Sequence, residues 1–225
     1  MVKKSLFWKT KKLCKLIDKS LYEKINRSEI KPIRLKIKKN LSNVPIELRY
    51  ASADCELLYF ITRKFKPAII LETGVAIGYS TSYFLSAIKK NNLGKLYSSD
   101  FMYLGIKDSK NYIGYLPKKL KFNHDKLLFK DGDEFNIPKI LNKLNKKNIE
   151  LFHYDSDKSY RAKEKSLKLI SNKVSKKIIY IFDDIQDDFF FKDFVKKNNL
   201  KYLIIQPTNK NKYIGIAGSF LEKII

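Results

Sequence analysis

The sequence predicts an α/β fold in which a seven-stranded, mostly parallel sheet lies between two layers of helices. From residue 53 onward, short apolar runs alternate with segments of helical periodicity, a pattern typical of parallel sheets covered on both faces. Acidic residues follow each of the first five predicted strands. The last two apolar runs, 202–205 and 214–221, flank a turn-rich stretch at 207–211, which predicts a hairpin and an antiparallel final strand.

The elements before the hairpin follow in a regular order. Predicted strands occupy residues 68–73, 95–99, 126–130, 149–154 and 178–182. Helices are expected at about 53–65 and 79–90, with further helical patterns between the later strands. An irregular stretch at 101–123 contains Tyr103, Tyr112, Gly114 and Tyr115.

An amphipathic basic helix is predicted ahead of this domain. From Ser5 to about Ile25, apolar residues recur at helical spacing among lysines, and residues 28–45 then read as a linker. We therefore expect a basic helical extension and linker at 1–45 and the main domain at 46–225. The extension either packs on the domain, caps a homodimer or contacts a membrane surface.

Composition narrows the possible partners. The chain has 225 residues and a net charge of +24, from 47 Lys+Arg against 23 Asp+Glu. Such a field attracts acidic substrates, anionic lipid or nucleic acid, and salt weakens it. Abundant lysine beside asparagine and isoleucine is also the composition that an AT-rich genome produces.

Cysteine usage and the absence of long apolar runs predict a cytoplasmic location. Cys14 and Cys55 are far apart and form neither a disulfide framework nor a metal-ligand spacing. Lysines interrupt the apolar residues near the start, so no signal peptide is expected. No apolar run reaches the roughly 18 residues that a membrane span needs.

Two glycines follow the first predicted strand. Glu72 closes that strand, and Gly74 and Gly78 lead into a helix. We expect Gly74 to allow a sharp turn and Gly78 to let the backbone approach a ligand, a nucleoside bearing a cationic sulfonium. The spacing is neither the G-x-G-x-x-G of dinucleotide sites nor that of a P-loop. A plain strand-to-helix turn is the alternative.

Acidic residues stand where parallel strands end, the edge at which such sheets bind ligands. They are Glu72, Asp100, Asp131, Asp133, Asp155, Asp157, Asp183 and Asp184. The Asp100 carboxylate suits the two hydroxyls of a ribose, although it could equally cap a helix. Asp133 suits an adenine amino group or caps a helix beginning near Glu134.

Asp155, Asp183 and Asp184 predict a metal site. Carboxylates at the ends of neighbouring strands can hold a hard divalent cation, typically Mg²⁺. Without a cation they would repel one another and some would take up protons. The alternative is a set of caps and salt bridges to lysines. His153, inside the fourth strand, is interpreted as a hydrogen-bonded core residue, and His124 has no predicted role.

The chain resembles class I S-adenosylmethionine-dependent methyltransferases over about residues 53–221. Residues 72–78 (ETGVAIG) and Asp100 are similar to the donor half of that family. Residues 153–160 (HYDSDKSY) and 182–185 (FDDI) look like the metal-dependent O-methyltransferases, which include the catechol, caffeoyl-coenzyme A and macrocin-type sugar enzymes.

This resemblance implies a Rossmann-like sandwich and S-adenosylmethionine and Mg²⁺ (or another divalent cation) as cofactors. The donor would contact Glu72, Gly74, Val75, Ala76, Gly78, Tyr79, Ser80, Asp100, Gly132, Asp133 and Asp155. Asp155, Asp183 and Asp184 occupy the metal-ligand positions. The Asp-Asp pair is similar to the sugar branch, since the catechol branch has Asp-Asn.

The resemblance leaves two candidates for the catalytic base. Lys158 matches the lysine of the catechol branch, and Asp157 matches an aspartate of the sugar branch. We favour Asp157 as base and Lys158 as an orienting charge, because neighbouring carboxylates keep a lysine protonated. Many small relatives have His where Lys158 stands, and residues 1–45, 101–123 and 185–193 match no known pattern, so the acceptor stays open.

The predicted function is S-adenosylmethionine-dependent, metal-assisted O-methylation of a small molecule or sugar. The high positive charge favours a nucleic-acid methyltransferase as an alternative. Such enzymes usually have Asn/Asp-Pro-Pro-Tyr/Phe at the fourth strand end, whereas residues 155–158 are DSDK. A non-catalytic basic scaffold for an anionic polymer is the other alternative.

Overall fold

The predicted sheet is confirmed in a computed structural model that describes residues 8–49, 53–102, 106–207 and 212–224. Its strands are β1 (Ile69–Thr73), β2 (Lys95–Ser99), β3 (Leu128–Phe129), β4 (Ile149–Tyr154), β5 (Val174–Phe182), β6 (Tyr202–Ile205) and β7 (Ile214–Ala217). They form one sheet in the order β3-β2-β1-β4-β5-β7-β6. Strand β7 runs antiparallel to both β5 and β6, as the hairpin pattern predicts, and the other pairs are parallel.

Helices cover both faces of the sheet. They are α1 (Thr10–Lys24), α2 (Ile30–Asn40), α3 (Cys55–Phe65), α4 (Tyr79–Asn91), α5 (Tyr115–Lys119), α6 (Asp133–Lys143), α7 (Tyr160–Ile170) and α8 (Phe190–Lys197). Helices α1 to α5 pack over one face and α6 to α8 over the other, each with its own apolar core. The second core is rich in aromatic rings, among them Phe152, Tyr154, Phe182 and Phe190.

Strand ends that face solvent differ from the prediction. Strand β5 begins at Val174, because its first residues pair with β4 while Lys176 and Lys177 are exposed. Apolar patterning does not detect strand residues that are hydrogen-bonded without being buried. Strand β3 has only two residues at the edge of the sheet, where it pairs with β2 alone. Tyr103 lies outside the described residues, and part of the irregular stretch around it forms α5.

The N-terminal extension differs more from its predicted structure than the strands do. Helix α1 kinks at Asp18 (φ −162°, ψ 95°), whose carboxylate accepts a hydrogen bond from the Leu21 N–H at 2.9 Å and so caps the second half. The predicted linker is wrong over the range of α2, because Ile30 and Ile37 are buried and the segment is helical.

The extension packs on the domain. Leu13, Ile30 and Ile37 are buried in the same core as α3 and α4. Trp8 also exchanges backbone hydrogen bonds with the edge strand β6, donating to Ile204 and accepting from Gln206, each at 2.9 Å. The division at residues 45 and 46 stays a prediction. Within the described part of the chain, no helix has the length and apolarity that crossing a bilayer requires.

Strand order decides where a ligand can bind. Connections leave β1 towards β2 on one side, while β4 lies on the other, so the order reverses between β1 and β4. Open sheets of this kind bind ligands in the crevice outside the carboxyl ends at such a point. Most of the predicted site residues lie there.

Candidate active site at the carboxyl ends of the strands

A groove of about 650 Å³ opens at the carboxyl ends of β1, β2, β4 and β5. The predicted residues that line it are Gly74, Asp100, Gly132, Asp133, Asp155, Asp157, Lys158 and Asp184. Phe101 and Met102 form an exposed apolar part of its wall. Its volume is in the range of small-molecule sites.

The turn after β1 requires glycine for two different reasons. Gly74 has φ +81°, and a Cβ there would overlap the carbonyl oxygen of Asp155 and lie 2.9 Å from the Ser156 nitrogen. Gly78 has φ +91°, but its Cβ would collide with the Pro117 ring of α5. The protein itself occupies the space beside Gly78, and the predicted approach of this glycine to a ligand stays a prediction.

Glu72 lies beneath the groove and does not line it. The side chain is 0% exposed, and its carboxylate accepts hydrogen bonds from the hydroxyls of Ser80 (2.5 Å), Thr81 (2.8 Å) and Ser98 (2.8 Å). Burial raises the pKa of Glu72 to about 7, although these hydroxyls oppose the shift. Glu72 thus ties α4 and β2 to β1, and its predicted contact with the donor stays a prediction.

The side chains of Tyr79 and Ser80, two further residues predicted to contact the donor, bond other residues of the protein. The Ser80 hydroxyl is used by Glu72, and Ser80 is buried. The Tyr79 hydroxyl donates to the Arg49 carbonyl at 3.2 Å, and its ring faces a cavity beside α1. These side-chain contacts do not test the predicted contacts of Tyr79 and Ser80 with the donor, which stay predictions.

Asp100 organises the same turn from β2. Its Oδ2 accepts hydrogen bonds from the backbone N–H groups of Val75 (2.9 Å) and Ala76 (2.6 Å), and its Oδ1 accepts from Phe101 (2.6 Å). Burial raises the pKa of Asp100 to about 6 against these hydrogen bonds. Asp100 thus fixes the backbone of Val75 and Ala76 next to the groove, and the predicted contacts of these two residues with the donor stay predictions.

Asp133 lies beside Asp100, and burial raises its pKa. Its carboxylate accepts a hydrogen bond from the Ser99 hydroxyl at 2.5 Å. Helix α6 begins at Asp133 itself and Gly132 occupies the cap position, so Asp133 lies in the first turn and not at the cap that the alternative interpretation assigned to it. Asn136 was not predicted, yet it holds this corner by donating to Ser99 and to the Asp100 carbonyl at 3.0 and 3.1 Å.

The acidic cluster at the ends of β4 and β5 is held by two lysines. Lys158 Nζ lies 2.5 Å from Asp155 Oδ1 and 3.0 Å from Asp184 Oδ2. Lys212 Nζ lies 3.0 Å from Asp183 Oδ2 and 3.4 Å from Asp184 Oδ1. Lys212 is 11% exposed at its side chain. Sequence could not identify this residue, since nothing distinguishes it from the many surface lysines.

The electrostatics of the cluster follow from this pairing. Burial opposes the charge of Lys158, but the carboxylates of Asp155 and Asp184 raise its pKa above the usual range. Burial, and then the charge of Asp155, raise the pKa of Asp183. Asp184 is more accessible, and although burial opposes it, Lys158 lowers its pKa.

Donor atoms suitable for a cation lie beside these ion pairs. One atom each of His153, Asp155 and Asp183 lies within 4.8 Å of the others. Asp183 Oδ1 is buried and has no hydrogen-bond partner among the described residues. An unpartnered carboxylate oxygen amid other carboxylates fits a divalent cation. Asp184 is outside this trio and bonds the lysines.

The interpretation of His153 as a hydrogen-bonded core residue is wrong in one respect. The residue is 0% exposed, and within the described ranges neither ring nitrogen has a hydrogen-bond partner. Its ring packs edge-on against Phe84, with centroids 5.6 Å apart. His124 does have a polar contact, from Nε2 to the Ser98 hydroxyl at 3.0 Å.

The two base candidates differ in surroundings. Asp157 is exposed at the groove, where Oδ1 accepts a hydrogen bond from the Ser159 N–H at 2.8 Å. Lys158 is bound to two carboxylates. Asp131, by contrast, points to solvent outside the groove and pairs with Lys139 at 3.0 Å.

Comparison with known proteins agrees with this geometry. A family model described as a methyltransferase domain matches residues 71–185. No curated protein matches the sequence. Among solved structures, a methyltransferase from Podospora anserina bound to S-adenosylhomocysteine has a TM-score of 0.59 at 14% identity, over 83% of this chain and 87% of that one.

Two further structures are similar. An O-methyltransferase from Bacillus cereus in complex with S-adenosylhomocysteine has a TM-score of 0.59 at 13% identity, covering 89% of this chain and 97% of that one. A TDP-rhamnose 3′-O-methyltransferase of calicheamicin biosynthesis has a TM-score of 0.55 at 18% identity, covering 83% and 94%. Identities this low establish the fold alone. The family is established by the methyltransferase-domain model, which spans just over half of the 225 residues. The chain therefore belongs to this methyltransferase family and has the class I fold of S-adenosylmethionine-dependent methyltransferases.

Proposed function

We propose that the protein transfers the methyl group of S-adenosylmethionine to a hydroxyl of a small molecule or sugar, assisted by a divalent cation. The observation that supports this most is that one groove joins Asp100 and Asp133 to Asp155, Asp157 and Asp184. A donor bound at the first pair and an acceptor bound at the second set would share one cavity. Proximity and orientation supply much of the rate in such a transfer.

The donor half of the proposal uses residues on β1, β2 and α6. Asp100 and Asp133 offer carboxylate oxygens to the ribose hydroxyls and the adenine amino group. Gly74 lets the ends of β1 and β4 approach each other beside the groove, since any side chain there would overlap the backbone at Asp155. Phe101 and Met102 offer an apolar surface on which a flat base can stack.

The acceptor half uses Asp155, Asp183 and Asp184, which would hold Mg²⁺ or a similar cation. A bound cation lowers the pKa of a coordinated hydroxyl and fixes its oxygen. Lys158 and Lys212 balance the carboxylate charge from the side, because each ammonium group bonds two of the three carboxylates. The chain thus provides both the ligands and part of the neutralising charge.

Proton removal is assigned to Asp157. A base must reach the acceptor hydroxyl, and Asp157 is an exposed carboxylate on the wall of the groove. Lys158 is already hydrogen-bonded to Asp155 and paired with Asp184, so its proposed role is to orient those groups.

The class of acceptor rests on analogy and on charge. A TDP-rhamnose methyltransferase is among the similar structures, which supports a sugar. The net charge of +24 favours an acidic acceptor, such as a sugar bearing phosphate. A nucleic acid would be drawn to the same field, so acceptor assays should include it. The proposed place of action is the cytoplasm, where the two distant cysteines would stay reduced.

Calorimetric titration of S-adenosylhomocysteine into the purified protein tests the donor site without knowledge of the acceptor. Micromolar binding that is lost in Asp100→Asn and kept in Asp131→Asn is the expected result. Asp131 is a matched control, since it ends the next strand but pairs with Lys139 outside the groove. No binding by the wild-type protein would refute the proposal.

The acceptor is then sought by incubating protein, donor and Mg²⁺ with nucleotide sugars, phenols and RNA. The proposal expects methyl transfer to a sugar or phenol hydroxyl that ceases on chelation and returns with added cation. Transfer confined to RNA would refute the acceptor class while leaving the donor site intact.

A further inference from the structure

His153 lies where a cation would bind. Its ring nitrogen and one carboxylate oxygen each of Asp155 and Asp183 lie within 4.8 Å of one another. His153 and Asp155 are two residues apart at the end of β4, so they share a face of the sheet. Asp183 follows the neighbouring strand β5, in which Ile181 is the register partner of His153. Three donor-bearing side chains thus converge on one point beneath the groove.

The convergence leaves buried polar atoms without partners. His153 is 0% exposed and Asp183 is 1% exposed. Both His153 nitrogens and Asp183 Oδ1 lack a hydrogen bond to any described residue. Each such atom gives up its hydrogen bonds to water and gains none in return, and native proteins rarely leave several together. A group bound between the imidazole and the carboxylates would satisfy these atoms.

Packing alone does not account for a histidine here. The ring makes an edge-on contact with the buried Phe84 at 5.6 Å between centroids. A phenylalanine would make that contact without leaving two buried nitrogens unsatisfied. The nitrogen itself must contribute something that offsets its burial.

We propose that His153 is a nitrogen ligand of the divalent cation, together with carboxylate oxygens of Asp155 and Asp183, and that this makes the site selective for a first-row transition ion over Mg²⁺. The inference rests on the metal site of the proposed function and adds its donor set and selectivity. Imidazole nitrogen suits ions such as Mn²⁺, Fe²⁺, Co²⁺ or Zn²⁺, whereas Mg²⁺ prefers oxygen ligands and retains water.

The lysines are compatible with this donor set. Lys212 bonds Asp183 through Oδ2, and Oδ1 of the same carboxylate, which has no hydrogen-bond partner among the described residues, stays available to a cation. Lys158 approaches Asp155 from the groove side, where it also meets Asp184. The Lys212 ammonium group and the cation would thus bind different oxygens of Asp183.

Pulsed electron paramagnetic resonance of Mn²⁺ bound to the full-length protein tests the ligand directly. We expect ¹⁴N modulation from a coordinated imidazole in the wild-type protein, replaced by ¹⁵N modulation when only histidine is ¹⁵N-labelled. The labelled wild-type experiment needs no substitution, so it holds even where a variant folds poorly. The chain has two histidines, and His153→Phe should lose the signal while the matched control His124→Phe keeps it.

Affinity provides the second readout. We expect His153→Phe to weaken Mn²⁺ binding about ten-fold or more, and to change Mg²⁺ binding by no more than about two-fold because oxygen ligands dominate there. Bound Mn²⁺ without nitrogen modulation, or modulation that survives in His153→Phe, would overturn the inference and favour a bridging water. S-adenosylhomocysteine titration of the same samples separates this failure from failure of the donor site. Absence of any Mn²⁺ or Mg²⁺ binding would overturn both the inference and the metal-assisted part of the proposed function.

Discussion

Replacing Gly74 by alanine tests whether the close approach between the ends of β1 and β4 at the groove requires glycine. Gly74 has φ +81°, and its added Cβ would overlap the Asp155 carbonyl and lie 2.9 Å from the Ser156 nitrogen. Backbone hydrogen bonds hold the neighbours in place, since Asp155 N–H donates to the Thr73 carbonyl at 3.0 Å and Gly74 N–H donates to Ser99 at 2.9 Å. The backbone must therefore separate to admit the methyl group.

The structure offers a control for the conformational part of this cost. Gly132 has φ +90°, but a Cβ there would meet only Phe101 Cδ2, at an ordinary 3.7 Å. Gly132 has ψ 152° as well, a backbone region that is sparsely populated by other residues. Alanine in such a region costs about 1–3 kcal/mol, and overpacking against rigid neighbours costs a further ~1–3 kcal/mol. We therefore expect Gly74→Ala to lower the free energy of unfolding by about 2–6 kcal/mol and Gly132→Ala by about 1–3 kcal/mol.

Thermal and urea unfolding measure the difference. For a chain of this size, 1 kcal/mol corresponds to roughly 2–4 °C in Tm, so Gly74→Ala should melt about 4–24 °C below the wild-type protein. S-adenosylhomocysteine binding should weaken as well in the folded fraction, because Gly74 lines the groove. Equal destabilisation by the two substitutions would refute the close approach at Asp155 as the reason for glycine.

The remaining predictions concern the extension, a buried histidine and the base. Leu13→Ala should lower the free energy of unfolding by about 2–5 kcal/mol in urea and Leu16→Ala by little, because Leu13 is 0% exposed and Leu16 is 52% exposed; equal effects would contradict the packing of α1. Burial lowers the pKa of His124 from 6.5 to about 4. The neutral imidazole therefore contributes fully to the free energy of unfolding above pH 6.5, and this contribution should be lost as the pH falls towards 4. This amounts to about 3 kcal/mol, and His124→Gln should flatten the pH dependence of unfolding; an unchanged slope would contradict it. Once an acceptor is found, Asp157→Asn should lower kcat by about 10²-fold or more with Lys158 intact, and near-normal turnover would exclude Asp157 as base.

The fold was predictable because local patterning and burial agree along most of the chain. Strands β1, β2 and β4 lie in the interior of the sheet, and their apolar runs mark their ends closely. Prediction failed where strand residues are exposed to solvent, as at the start of β5, because such residues have no apolar pattern. It also failed for α2, since a helix with many lysines and two buried isoleucines has a weak apolar pattern.

The candidate site was predictable as a location more than as a set of contacts. Strand ends with acidic residues converge on one groove because parallel strands end at the same edge. Glu72 and Gly78 belong to the same motif, yet they serve the protein interior through Ser80 and Pro117. A motif records which residue types are needed, and the partner of each is fixed by the path of distant segments.

The sequence by itself determined the order of the strands, the antiparallel last strand and the edge of the sheet that collects carboxylates, because each depends on local patterning or on the direction of parallel strands. Only the tertiary structure decided which carboxylates line the groove and which lie beneath it. Lys212 reaches Asp183 from 29 positions away, and the ring nitrogens of His153 have no hydrogen-bond partner in the part of the chain that the structure describes. Such contacts depend on distances between segments that meet only after folding, and those distances are not encoded in any local run of residues.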